Sequence, residues 1–423
     1  MQMHVQTPMQ SNIIRNTSKL LSANVIAQVI GIAVYPILTR LYLPDDFGTL
    51  HLFLTIGGIA TLFATAEYQN AILLPKSDKD AAACLHVGFF STLTVCLLFL
   101  LLIPWAPALS DLFNAPDLKR HFWLLSPFIF AVSLWNLLNF WHTRHERFTD
   151  VSMYQVTQCV SGAGLKWGLA RHTGAGLIIG TVLAPVIGLA VNIATSFKKA
   201  IRPLLRPDLR ECRRMARQYA NFPKYSLPRS IVNYLSGNLP VLLLTPFFGV
   251  QQIGFYGMAI TLSFTPISLI VKSIYQVVFQ NTAQQVRERR HIRPFFKKMM
   301  TRSTLISLPV LAALYFILPT LASWLLGAEW YVTGQYIRFL LPWLFVTILA
   351  GPICFLPDIF KKQKKALGFE LLLLLLRLAG IAAGIATGSF VLAIACYSIA
   401  SFAVILMQLL WFNRLVTDYE REL

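Results

Sequence analysis

The chain has 423 residues, 56% of them hydrophobic and only 13% charged, with a net charge of +19 and a mean hydropathy of +0.60. Soluble domains carry roughly 25% charged residues, so this balance excludes an ordinary water-soluble globule. The basic residues fall in short loops between apolar runs, which excludes a nucleic-acid-binding face and points to loops lying beside anionic lipid.

Residues 1–16 are polar and lack the apolar core of a cleavable signal peptide, so the first span is expected to act as its own insertion signal. Apolar runs of about 20 residues, the length a bilayer requires, then recur to the end of the chain. They place spans at 17–40, 47–73, 81–104, 122–142, 151–170 and 174–197, a basic linker at 198–222, and further spans at 223–247, 252–279, 302–326, 336–358, 367–387 and 389–412. The expected architecture is an all-α integral membrane protein of about twelve transmembrane helices. It divides into an N-terminal bundle (1–197), the linker (198–222) and a C-terminal bundle (223–423).

Charge placement orients this map. With the N- and C-termini in the cytoplasm, roughly 27 of the 37 Lys and Arg fall on the inner side, against about five outside (Arg40, Lys119, Arg120, Arg171, Arg338). In the linker, Leu209, Cys212, Met215, Ala216, Tyr219 and Phe222 recur at helical spacing, with Arg210, Arg213, Arg214 and Arg217 around much of the remaining circumference. This pattern predicts an amphipathic helix on the inner leaflet rather than a solvated basic loop.

The two halves also look duplicated. A shift of about 206 residues lays Leu41–Leu50 (LYLPDDFGTL) on Phe247–Tyr256 (FFGVQQIGFY), matching Phe47-Gly48 to Ile253-Gly254. With six spans in each half, the repeats share one membrane orientation and predict a cleft between them.

The chemistry-bearing residues are few. There is no phosphate-binding GxxxxGK[ST] loop, no HExxH and no GxSxG. Asp45-Asp46 reads as a helix-capping turn after Pro44, and His142 and His145 of WHTRH as interfacial histidines. Five cysteines lie in apolar runs, Cys212 lies alone in the linker, and no metal or other cofactor is expected. Charges within spans are costly in lipid and so carry the information. Arg377 follows six leucines near the midplane of its span, with Glu370 two turns earlier on the same face. Glu67, Lys272, Lys19 and Arg229 lie toward the inner half, and Lys166 toward the outer end, where it is expected to snorkel. The excess of cations over anions suits an anionic head group such as a phosphate or pyrophosphate. Gly237-Asn238-Leu239-Pro240 and other in-span Gly and Pro are hinge candidates.

Three stretches, LTRLYLPDDFGTLHLF (38–53), EYQNAILLPKSDKDAA (67–82) and NFPKYSLPRSIVNYLSGNLPVLLLTPFFGVQQIGFYGMA (221–259), resemble the Wzx-type flippases of bacterial polysaccharide and O-antigen synthesis. That family belongs to the multidrug/oligosaccharidyl-lipid/polysaccharide exporter superfamily. The resemblance implies a MATE-like fold of two six-helix bundles in the bacterial cytoplasmic membrane. It implies translocation of an undecaprenyl-pyrophosphate-linked oligosaccharide by ion-coupled alternating access, and membrane lipids and other polysaccharide assembly proteins as partners. Arg377, Lys272, Arg229 and Lys19 are then candidate substrate contacts in a cationic cavity, and Glu67 and Glu370 candidates for ion coupling. The family pattern carries Arg-Tyr-Glu where this chain has Glu67-Tyr68-Gln69, so the charge is reversed and relocated. The competing readings are a drug or cation antiporter of the same superfamily, which the basic bias disfavours, and a membrane polysaccharide polymerase or ligase. The longest outer loop, 105–121, is too short for the latter.

Overall fold

The computed structural model describes residues 28–170, 174–197, 204 and 207–423. The start of the first expected span with Lys19, Arg171, and most of 198–206 lie outside the described residues. The chain forms two compact units, Met1–Leu235 and Ser236–Leu423, so the division falls inside a helix and the linker belongs to the first unit.

The first unit holds α1 (Gln28–Leu38), α2 (Pro44–Thr65), a single-turn α3 (Tyr68–Ala71), α4 (Asp78–Leu101), α5 (Ala106–Leu112), α6 (Pro116–His121), α7 (Leu125–Arg144), α8 (Phe148–Gly168), α9 (Ala175–Ser196), α10 (Leu209–Gln218) and the start of α11 (Leu227–Arg287). The rest of α11 opens the second unit. It continues with α12 (Arg293–Leu326), α13 (Tyr331–Ala350), a short α14 (Leu356–Ile359), α15 (Gln363–Ala386) and α16 (Phe390–Arg421). Among the described residues, nine helical stretches are long and apolar enough to cross a membrane. One of these covers 66 residues, about 100 Å at 1.5 Å per residue and far more than one crossing needs. It is broken at Gly249, whose φ of 78° only glycine adopts freely. The polar face of α8 keeps it below that apolar threshold, and α1 is described over too few residues to reach it. Every expected span thus has a helix. The chain is a multi-pass, all-helical membrane protein.

Two expected spans are interrupted. Span 47–73 ends at Thr65, because Ala66 and Glu67 both take left-handed backbone (φ 47° and 62°) before α3 restarts the helix. The Thr92 hydroxyl of α4 donates to the Ala64 carbonyl at 3.2 Å, one of the acceptors left over where the helix stops. Span 336–358 begins earlier and stops at Ala350, where Gly351-Pro352 turns the chain toward α14. Arg338, counted at the outer end of that span, lies within α13 and donates to the Tyr315 and Phe316 carbonyls of α12.

The linker forms a helix as expected. Asp208 caps α10 by accepting from the Arg210 and Glu211 amides at 2.9 and 3.4 Å. The middle of its apolar face is covered by protein, whereas Leu209 at its start is exposed. Cys212 and Met215 are buried in a cluster with Tyr68, Ile72, Cys84 and Trp141, and α10 packs on α4. The Tyr68 hydroxyl donates to the Ala216 carbonyl at 3.2 Å and fixes the register. Burial pushes the Cys212 thiol up, as expected of a packed side chain.

The aligned segments occupy equivalent places in their units. Phe47 and Ile253 are fully buried in the opening turns of the helices that follow the Leu43 loop and the Gly249 break. In the second unit α15 and α16 pack most closely at Gly384, where an added Cβ would meet Ala393 backbone atoms at 2.4–2.6 Å. Gly384→Ala should therefore cost about 1–3 kcal/mol by overpacking. Gly368→Ala, in open space on the same helix, should be neutral or stabilising by up to about 1 kcal/mol. Thermal unfolding of the two variants in one detergent checks the contrast.

Candidate functional site

The second unit builds its polar centre around Arg377. Pro240 has no N–H, so the carbonyl of Ser236 one turn earlier in α11 loses its helical donor. Two side chains replace that donor: Arg377 Nη1 at 3.2 Å and the Tyr397 hydroxyl at 3.2 Å. Nη1 also donates to Ser236 Oγ at 3.0 Å, and Nε to Ser401 Oγ at 2.9 Å. The guanidinium carbon lies 4.5 Å from the ring centre of Tyr397 and 5.3 Å from that of Trp343, so two aromatic faces carry part of the charge. Trp343 and Tyr397 themselves meet edge to face at 5.6 Å. Arg377 is 5% exposed, makes no ion pair among the described residues, and its Nη2 donates to no described group. A buried cation held only by neutral partners has one pair of donors left for an anion.

The other predicted residues are placed differently. Lys272 and Arg229 are exposed on α11, in the second and first units respectively, and neither donates to a described side chain or carbonyl. Glu370 is exposed on α15, about 10 Å along the helix from Arg377. Glu67 is 6% exposed in the left-handed break of the first unit. Its Oε2 accepts from Asn70 Nδ2 at 2.5 Å and Gln69 Nε2 at 3.2 Å, with no ion pair among the described residues. Glu67-Tyr68-Gln69-Asn70 is therefore a local polar knot whose tyrosine reaches α10.

The rest of that sequence stretch ties down the end of the first unit that carries its basic residues. Arg144, at the end of α7, donates to the carbonyls of Ile72 and Lys76 at 3.2 and 3.4 Å and to Asp78 at 3.0 Å. Arg214 of α10 pairs with Asp80 and with Glu211. His142 is not interfacial: it is fully buried, with Nε2 3.0 Å from Asn192 Oδ1, while Asn192 donates to the Asp150 carbonyl.

Sequence reasoning missed a second polar site in this unit. Gln155, Gln158, Gly162 and Lys166 follow one face of α8 and line a cavity of about 360 Å³ with Gln28 and Tyr35 of α1. The Gln28 and Gln155 carbonyl oxygens are buried there with no hydrogen-bond partner among the described residues. Lys166 lines this cavity, and the spacing of the polar residues in MYQVTQCVSGAGLKWG was the available signal. No group of three or more His, Cys, Asp or Glu among the described residues is arranged to hold a metal ion.

Comparison with known proteins agrees with this architecture. The chain aligns over 95% of its length with the lipid II flippase MurJ in an inward closed conformation, covering 90% of that chain at a TM-score of 0.74 and 12% identity. It aligns over 93% with an inward-facing multidrug resistance MATE family transporter of the MOP superfamily, covering 96% of that chain at a TM-score of 0.68 and 14% identity. At such identities the likeness is one of fold. A curated relative, the teichuronic acid biosynthesis protein TuaB of Bacillus subtilis (strain 168), is 26% identical over 117 residues. That match covers 28% of this chain and about a quarter (24%) of the relative's length. The polysaccharide biosynthesis protein family matches residues 37–334, from the end of α1 into α13 and across the Glu67 knot, α10 and Ser236. This chain belongs to the polysaccharide biosynthesis protein family and has the fold shared by MATE transporters and MurJ.

Proposed function

We propose that this protein is a flippase that carries an undecaprenyl-pyrophosphate-linked oligosaccharide from the inner to the outer leaflet of the bacterial cytoplasmic membrane by alternating access. The observation that carries the reading is the Arg377 guanidinium, buried with neither a counter-ion nor an Nη2 acceptor among the described residues. A pyrophosphate is the ligand such a donor pair fits best, because charge-assisted N–H···O contacts compensate for the buried cation. The polysaccharide family supports a glycan as cargo, and the amide-lined cavity beside Lys166 has the acceptors and donors that sugar hydroxyls use. Glu67, buried and bound only to amides, is the residue through which an ion gradient would act; Lys272, Arg229, Lys19 and Glu370 are secondary candidates. A buried cation at the polar centre disfavours the export of cationic drugs.

The test is the fate of labelled undecaprenyl-linked oligosaccharide in cells lacking the protein. Single repeat units should accumulate out of reach of a probe confined to the outside. Accumulation within its reach would place the defect after translocation, and an unchanged pool would remove this cargo altogether.

A further inference from the structure

The second unit has a cavity of about 750 Å³ whose chemistry changes across its depth. Its floor is apolar, formed by Ile353, Leu356, Leu409, Phe412 and Val416, and its rim carries Arg293 and Lys297 from the first turns of α12. Glu420 also lines it, but that carboxylate is already engaged. Its Oε1 accepts from the Ile292 and Arg293 amides at 2.9 Å each, capping α12, and its Oε2 lies 3.1 Å from His291 Nδ1. Arg293 and Lys297 therefore stand exposed with no ion pair among the described residues.

The depth of the cavity in the bilayer follows from the helices that form it. On α12 the charged run Arg293, Lys297, Lys298, Arg302 gives way to the exposed apolar residues Leu305, Ile306, Leu308 and Val310. On α16, Leu406, Met407 and Leu410 are exposed on one side of the cavity, and Arg414, Asp418 and Arg421 on the other. The cavity thus sits where lipid-facing surface meets charged surface, the level of the head groups of one leaflet.

We propose that this cavity binds an anionic glycerophospholipid of the surrounding membrane. The phosphate sits between Arg293 and Lys297, and an acyl chain runs over Leu409 and Leu410 toward the exposed apolar stripes. Charge complementarity selects the head group, and the apolar floor separates this site from simple attraction of basic loops to an acidic surface. The occupant bridges the start of α12 to the end of α16, so it should stabilise this end of the unit. The inference is independent of the cargo, because its test involves no transport.

The test compares purified full-length protein in nanodiscs of phosphatidylglycerol and of phosphatidylcholine, reading retained lipid by native mass spectrometry and unfolding temperature together. The wild type should retain phosphatidylglycerol and unfold at a higher temperature in it. Arg293→Gln with Lys297→Gln should bind it about thirtyfold more weakly, given the usual contribution of one basic residue beside anionic lipid. Leu410→Trp, a substitution at an exposed position over the cavity, should abolish the phosphatidylglycerol advantage and leave stability in phosphatidylcholine unchanged. Arg210→Gln with Arg213→Gln, which removes equal charge from the exposed face of α10, should change neither reading. Equal losses in both double variants would overturn the site in favour of diffuse attraction. Equal retention of phosphatidylglycerol and phosphatidylcholine by the wild type would overturn the choice of an anionic lipid.

Discussion

Replacing Arg377 should abolish transport without unfolding the protein. In Arg377→Ala the pyrophosphate loses a buried, charge-assisted contact, and truncating one partner of such a pair costs about 2–5 kcal/mol, a fall in affinity of about thirtyfold or more. Arg377→Met separates function from folding, since it keeps the length of the side chain and removes the charge. A cation buried among neutral groups is a net cost to the folded state, so the Met variant should unfold at or above the wild-type temperature while transport is lost. Arg377→Lys should recover only part of the activity, because an ammonium reproduces neither the planar stack on Tyr397 nor the simultaneous contacts to Ser236 and Ser401. The measurements are complementation of glycan export and thermal unfolding on the same preparations. Destabilisation of the Met variant by several kcal/mol, with activity falling in proportion, would assign Arg377 to architecture instead.

How much of this centre could be read from the sequence depends on which contact is considered. Arg377 was conspicuous, because six leucines precede it and a charge at that depth needs a reason. Gly237-Asn238-Leu239-Pro240 was visible as a hinge candidate, and its proline dictates that the Ser236 carbonyl needs a new donor. That the donor is Arg377 could not be read, because it depends on α15 and α16 lying beside α11, and helix packing in lipid leaves only weak traces in composition. Lys272 and Arg229 show the same limit. Hydropathy places a charge along a helix axis but not around it, and both side chains are exposed.

The spans were legible because the bilayer imposes their length, whereas the breaks were not. Glycine announces the break at Gly249, whose positive-φ, extended backbone (φ 78°, ψ 171°) is open essentially to glycine alone, but Ala66 and Glu67 take left-handed helical backbone with no compositional sign. The α10 periodicity gave the helix and the buried Cys212 and Met215, but not the exposure of Leu209. It could not say what covers the apolar face, since lipid tails and the Tyr68–Ile72 cluster are equally apolar.

Arg144 tests whether carbonyls or charges hold the end of the first unit, and the two readings predict opposite rankings of its neighbours. Asp78 is 66% exposed on its side chain, so its pair with Arg144 is screened and contributes at most about 1 kcal/mol. The guanidinium is only 13% exposed and also donates to the carbonyls of Ile72, the C-cap of α3, and of Lys76, in the loop before α4. Hydrogen bonds to a charged donor contribute about 1.5–3 kcal/mol. Arg144→Ala should therefore destabilise by about 2–4 kcal/mol, and Asp78→Asn by less than about 1 kcal/mol. Arg144→Lys should fall between them, since one ammonium cannot span three acceptors in a fixed fork. Urea-independent thermal melts in 0.15 M and 1 M salt complete the test: the Arg144→Ala deficit should persist in high salt, where an exposed ion pair is screened within about 3 Å. A deficit that vanishes in salt, or an Asp78→Asn loss equal to that of Arg144→Ala, would mean that the ion pair alone fastens the loop between α3 and α4.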